Sequence, residues 1–155
     1  MTPETVRLLN PGFLATLLGH GSLGYAESQE NGLPFILAFI LPPLVLHKDT
    51  RDVLPRAITS KLPEWAHKHS SQLAFLPQHA KELQPSIRSA ITVGAHLQII
   101  AFDEEARLNP SERFEPKTKE SKEVAEIMKK SYFLGRWLGV SGNQPTILSI
   151  LGIGV

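Results

Sequence analysis

The chain has 155 residues, sixteen Lys and Arg against fifteen Asp and Glu for a net charge of +1, and no cysteine. That length makes a single domain over residues 1–155 the default and gives room for a real core. A near-neutral surface argues against general nucleic-acid binding, and the missing cysteines exclude disulfides, a thiol nucleophile and a cysteine-type zinc site, as suits a reducing cytoplasm.

The opening stretch MTPETVRLLNPG has no basic region leading into an apolar one, so no signal peptide is expected. Thr2-Pro3-Glu4 starts a short helix over residues 2–9. Asn10 is a natural N-cap with Pro11 at the first helical position, and Phe13, Leu14, Leu17 and Leu18 follow at helical spacing. This helix should continue toward Tyr25 despite Gly19, Gly21 and Gly24, glycines that suit the close approach of another backbone. Residues 27–32 read as a loop.

Residues 33–46 contain no charged or hydrogen-bonding side chain. As a helix they would span only ~21 Å, short of the ~30 Å of a bilayer core. Pro42 and Pro43 would break its hydrogen-bond ladder. The segment is therefore expected to be buried and apolar all round, helical with a break at Pro42-Pro43, with a buried strand as the alternative. His47, Lys48, Asp49, Arg51 and Asp52 follow at once and read as its polar rim, with Arg51 a rim or interface charge.

Thr50 can cap a short turn over residues 51–54 that ends before Pro55, and Ile58, Leu62 and Trp65 belong to a further helix. Ser70 or Ser71 caps the next, with Leu73, Leu76, Ala80 and Leu83 on one face and Pro77 as a kink or true start. Gln84-Pro85-Ser86 opens another, lined by Ile87, Ala90, Ile91, Gly94 and Leu97. Residues 97–102 are rich in β-formers, residues 103–105 make a turn, and residues 106–109 form a return strand.

Three helices and a hairpin are the order of a winged helix. From Asp103 to Glu123 twelve of twenty-one residues are charged, so a flexible, solvated loop is predicted over about 103–120. Ser121 restarts a helix striped by Val124, Ile127, Met128, Leu134 and Leu138, with Tyr132, Phe133 and Trp137 adding apolar area. Gly139 and Gly142 end it, and Pro145-Thr146 starts a last apolar turn, residues 147–151. The fold class is mainly α: a compact helical domain with one short β-hairpin, a winged-helix-like middle, and a C-terminal helix with an apolar tail over residues 121–155.

No set of residues assembles a catalytic constellation, so the expectation is a protein without enzymatic activity, metal or cofactor. His67 and His69 are two apart and cannot share a helix face, and His79 lies ten further on, so the histidines read as polar side chains. Gly19-x-Gly21-x-x-Gly24 spells the dinucleotide fingerprint, but a helical stripe precedes it where a strand is required, and a glycine-lined packing site is the better reading.

Residues 47–88 carry seven Lys/Arg against four Asp/Glu and four histidines. Lys81 and Arg88 could meet phosphates in a winged-helix setting, yet residues 85–97 offer one Arg and only His96 besides for reading bases. The apolar segments 33–46 and 147–155 are the stronger lead: each must dock on the chain's own core or on a partner.

Several residues also carry a resemblance. Asn10-Pro11-x-Phe13 with Leu17-Leu18 and Tyr25 is one landmark, and Leu33-Pro34-x-x-Leu37-Ala38-Phe39-x-Leu41-Pro42-x-x-Leu44-x-x-His47 is the next. Thr50-Arg51-x-x-Leu54-Pro55 and the closing Pro145-Thr146-Ile147 with Leu151-Gly152 complete the set. In this order they resemble the middle component of three-component ABC systems, small proteins encoded between an effector and an SMC- or Rad50-like ABC ATPase, a group that includes Lamassu-type antiphage systems.

The resemblance implies a cytoplasmic, non-catalytic adaptor that links a DNA-sensing ATPase to a toxic effector such as a nuclease. It would touch DNA only through the complex and would not involve a membrane. Asn10, Pro11, Phe13, Pro42, His47, Thr50, Arg51, Pro55, Pro145, Thr146, Ile147 and Leu151 become candidate interface or landmark positions. The rival reading is a winged-helix DNA-binding regulator acting alone.

Overall fold

A computed structural model describes residues 10–116 and 121–154. The expected helix over residues 2–9, residues 117–120 of the charged loop, and Val155 lie outside the described residues.

Helix α1 (Pro11–Ser28) starts as its sequence requires. The Asn10 side-chain oxygen accepts from the Gly12 and Phe13 amides at 2.9 and 3.2 Å, and Pro11 occupies the first turn. The helix runs past Tyr25 to Ser28. Three short helices follow: α2 (Phe35–Ala38), α3 (Leu41–Leu46) and α4 (Lys48–Asp52). The expected break at Pro42-Pro43 falls instead at Phe39 and Ile40, and both prolines sit in the first turn of α3. A first turn has no intrahelical acceptor for its N–H groups, so proline costs nothing there and starts the helix it was expected to stop. Nor is the segment apolar on all sides to its own core, because Phe35 is 43% and Ile36 36% exposed.

Helices α5 (Leu62–Lys68) and α6 (Ser70–Leu73) lead into α7 (Leu76–His96). Pro77 lies in the first turn of α7, as one of the two readings had it. Pro85 does not open a new helix: α7 passes through it unbroken. Proline removes one ladder bond, to the Lys81 carbonyl, but Pro85 lies on the exposed side of α7 where water can solvate that carbonyl. Ile87, Ala90, Ile91 and Gly94 are buried as expected, whereas Leu97 is 61% exposed because α7 has ended at His96.

Strands β1 (Ile100–Phe102) and β2 (Leu108–Pro110) pair antiparallel, Ile100 opposite Pro110 and Phe102 opposite Leu108. The Asp103 carboxylate accepts from the Glu105 and Arg107 amides at 2.9 and 3.0 Å and closes the turn. Leu33 exchanges backbone hydrogen bonds with Leu108, both at 2.8 Å, which ties the entry to α2 onto the hairpin. Helix α8 (Lys122–Gly139) is capped by Ser121, and α9 (Gln144–Ile150) by Asn143, whose side chain accepts from the Thr146 amide at 3.0 Å.

Helix α1 is the centre of this mainly α fold. It packs on α8 along one side and on α7 and the hairpin along the other. The helix before the hairpin, α7, rests chiefly on α1, with α3 and β1 beside it.

Glycine is what brings α1 and α8 together. A Cβ on Gly24 would fall on the Tyr132 carbonyl, one on Gly135 would fall on the Gly21 carbonyl, and one on Gly21 would come within 2.6 Å of a Leu41 methyl. The fingerprint-like spacing thus marks a packing seam inside a helix. Small hydroxyls finish it: Ser131 donates to the Leu17 carbonyl and Ser28 to the Arg136 carbonyl, each at 2.8 Å. Two indoles then pin the irregular segment 53–61. Trp65 donates to the Val53 carbonyl and Trp137 to the Ser60 carbonyl, both at 2.7 Å, and the rings meet edge to face 5.2 Å apart.

Two outcomes follow from this packing. Gly24→Ala and Gly135→Ala each place a methyl on backbone that cannot yield, and should lower stability by more than about 3 kcal/mol, beyond the usual range for overpacking. Gly154→Ala meets nothing within 4 Å and should leave the thermal midpoint, followed by circular dichroism, unchanged. The second outcome concerns His20, buried on α1 edge-on to Phe114 at 5.2 Å. Burial lowers its pKa from 6.5, so the folded state disfavours the imidazolium and the unfolded state takes up the proton first. Its contribution is fully present above the unfolded pKa and fades as pH falls below it. Urea midpoints of the wild type should drop between about pH 7 and 5. His20→Leu should flatten that slope.

Candidate protein-docking groove

Of the predicted polar rim, Arg51 is not on the rim at all. It is 2% exposed, so the expectation of an interface charge is corrected. Its Nη1 donates to the Val45 carbonyl at 2.8 Å, one of the last carbonyls of α3, which has no intrahelical partner. Nη2 lies 3.8 Å from a carboxylate oxygen of Glu123 in the first turn of α8, while Nε is buried without a hydrogen-bond partner. Arg51 therefore caps α3 and ties it to the start of α8 from inside the protein.

Thr50, 3% exposed, lies beside it; its hydroxyl is 3.1 Å from His47 Nδ1 and 3.5 Å from the Gln72 carbonyl. His47 is half-buried and its ring lies 5.2 Å from that of His79. His67 is exposed, and His69 packs against Trp65 with 5.6 Å between rings. Among the described residues no three His, Asp or Glu side chains converge as a metal site would need.

The other predicted positions are distributed through the fold. Asn10 and Pro11 start α1, and Phe13 packs against the core. Pro42 is buried in α3, and Pro55 lies beside Trp65 in a shallow hollow. Pro145 and Thr146 form the exposed first turn of α9. Ile147, Leu148 and Leu151 are buried at 0%, 2% and 3%, so this part of the apolar tail docks on the chain's own core.

What the structure does bring together is a groove of about 470 Å³ between α2, α7 and the tail. Phe35, Ile36, Phe39 and Ile40 form one wall, Leu148 and Ile153 the end, and α7 the other wall through Pro77, Ala80, Lys81, Gln84 and Arg88. Lys81 and Arg88, candidates for phosphate contacts in the sequence, thus flank an apolar hollow. Sequence reasoning missed this site. The signal was present as the spacing 77, 80, 81, 84 and 88, one stripe of a continuous helix, but splitting α7 at Pro85 hid it.

The chain matches over residues 1–155 the family model of the ABC-three component (ABC-3C) system Middle Component 3, and it belongs to that family. It is thus a component of a multi-component ABC system and has protein partners. No curated protein and no solved structure matches it. Among the described residues no helix is long and apolar enough to cross a membrane.

Arg51→Glu should strongly destabilise the protein. It puts an unpaired carboxylate against the Val45 carbonyl, at a cost of roughly 3–5 kcal/mol, the scale of a broken buried pair. Glu123→Gln should cost under about 1 kcal/mol, because Glu123 is half exposed and its contact is long. Deleting residues 147–155 should likewise melt the isolated chain. Urea unfolding followed by circular dichroism ranks all three, and an Arg51→Glu variant as stable as the wild type would return Arg51 to the rim.

Proposed function

We propose that this chain is the non-catalytic adaptor of a Lamassu-like antiphage complex, holding an SMC- or Rad50-like ABC ATPase and a toxic effector, such as a nuclease, in one cytoplasmic assembly. The family assignment over the whole chain is the observation that carries the reading. It supports a part in antiphage defence and supplies the need for partners. The open apolar groove supports it further, as a feature suited to a protein segment. In this reading the ATPase senses DNA, and the adaptor touches DNA only through the complex.

Lys81 and Arg88, the cations on which a stand-alone regulator would depend, flank an apolar hollow, a poor match to the polar backbone of a duplex.

The test is co-expression of the chain with the other two components of its system, followed by sizing. One complex containing all three is expected. An ATPase and effector that associate fully without the chain would remove the adaptor role. The purified chain should show no ATPase, nuclease or hydrolase turnover with or without divalent metal, and turnover abolished by replacing His67 or His79 would overturn that part. Its own affinity for duplex should be weak and independent of sequence.

A further inference from the structure

Resting on the adaptor reading, we propose that the groove between α2, α7 and the tail receives an amphipathic helix of about three turns from a protein partner. The helix lays its apolar face between Phe35 and Leu148 and directs carboxylates at Lys81 and Arg88.

Phe35 and Ile36 are neighbours in the chain, both lie at the mouth of one hollow, and both are large apolar side chains left 43% and 36% exposed. The wall and end behind them include finished core: Ile40 is 1% exposed and Leu148 2%. A preformed wall with exposed aromatic and aliphatic lips is what the helix-in-groove mode of recognition uses. The wall supplied by α7 runs from Pro77 to Arg88, about 17 Å at 1.5 Å per residue, which matches three turns of a docked helix.

Charge decides between occupants. Lys81 and Arg88 are exposed, stand seven residues apart on the same stripe, and form no ion pair with a described carboxylate. Among the described residues no Asp or Glu lines the groove. A purely apolar segment would leave these two cations facing nothing, while a segment with acidic residues two turns apart would complement both. A second copy of this chain presenting the same groove would set like charges against each other, so the occupant is a different protein.

The test keeps the full three-component system. Lys81→Glu with Arg88→Glu, both exposed, should leave the circular dichroism spectrum unchanged and weaken binding of the chain to its partners by at least about tenfold. Raising the salt concentration should weaken the wild type and not the variant. If the charge reversal disturbs folding, Lys81→Gln with Arg88→Gln is read instead, with a smaller loss expected in the same direction. In parallel, a photo-crosslinking p-benzoylphenylalanine at Phe35 should capture a partner peptide that carries apolar residues at helical spacing and flanking carboxylates.

Unchanged affinity of the folded variant would overturn the proposal and leave the adaptor reading standing. So would a cross-link to a second copy of this chain. Failure of the wild type to enter any complex would overturn the adaptor reading and the groove's role together.

Discussion

The structure depends on how close two helix backbones can come. Gly21 and Gly24 on α1 face the Ser131 and Gly135 region of α8, where a methyl on Gly24 or Gly135 would meet a carbonyl of the opposite helix. This contact fixes the distance between α1 and α8, and with it where the rest of α8 falls. Ser131 and Ser28 then reach carbonyls of the opposite helix. Trp137, further along α8, arrives where its indole can hold Ser60 and meet Trp65. Small residues at the contact and large ones beside it make a rigid pair from a helix, α1, that is buried almost all round.

That frame also explains why a charged residue can sit in the interior. The start of α8 is brought beside the end of α3, leaving a helix C-terminus with unmet carbonyls close to an acidic first turn. A guanidinium satisfies both, because it presents several donors in fixed directions and keeps its charge. Arg51 donates to Val45 and leans toward Glu123, but its Nε remains without a partner, a desolvation cost accepted for the link. Nothing in the local run His47-Lys-Asp-Thr-Arg51 distinguishes this Arg from a solvated one. Its charge partner, Glu123, lies seventy-two positions away.

Local rules were legible wherever a residue acts on its immediate neighbours. The Asn10 cap, the Ser121 cap, the hairpin turn at Asp103 and the glycine-lined contact all followed from adjacent chemistry. Proline misled in two opposite ways. Pro42 and Pro43 were read as breakers when they start α3, and Pro85 as a start when α7 runs through it. Both errors have one cause: proline's effect depends on whether the bond it removes existed or mattered, which is set by position within the helix and by solvent on that side. The apolar tail was open between core and partner, and only tertiary packing placed Ile147 and Leu151 in the core.

Most of the residues that carry the family resemblance stand apart from those that line the groove, with Phe39 belonging to both. Asn10, Pro11, Pro145 and Thr146 begin helices; Phe13, Pro42, Thr50, Arg51, Ile147 and Leu151 pack or brace the interior. None of these needs a partner to account for its place. The groove's lips and flanking charges come instead from Phe35, Ile36, Lys81 and Arg88, whose side chains cap no helix. A side chain held by the core cannot be changed to suit a new partner without loss of stability, whereas an exposed lip or flanking cation can. In the proposed adaptor role that separation would serve a purpose: the landmarks set the scaffold, and partner choice would fall to the residues around an opening that the scaffold leaves apolar.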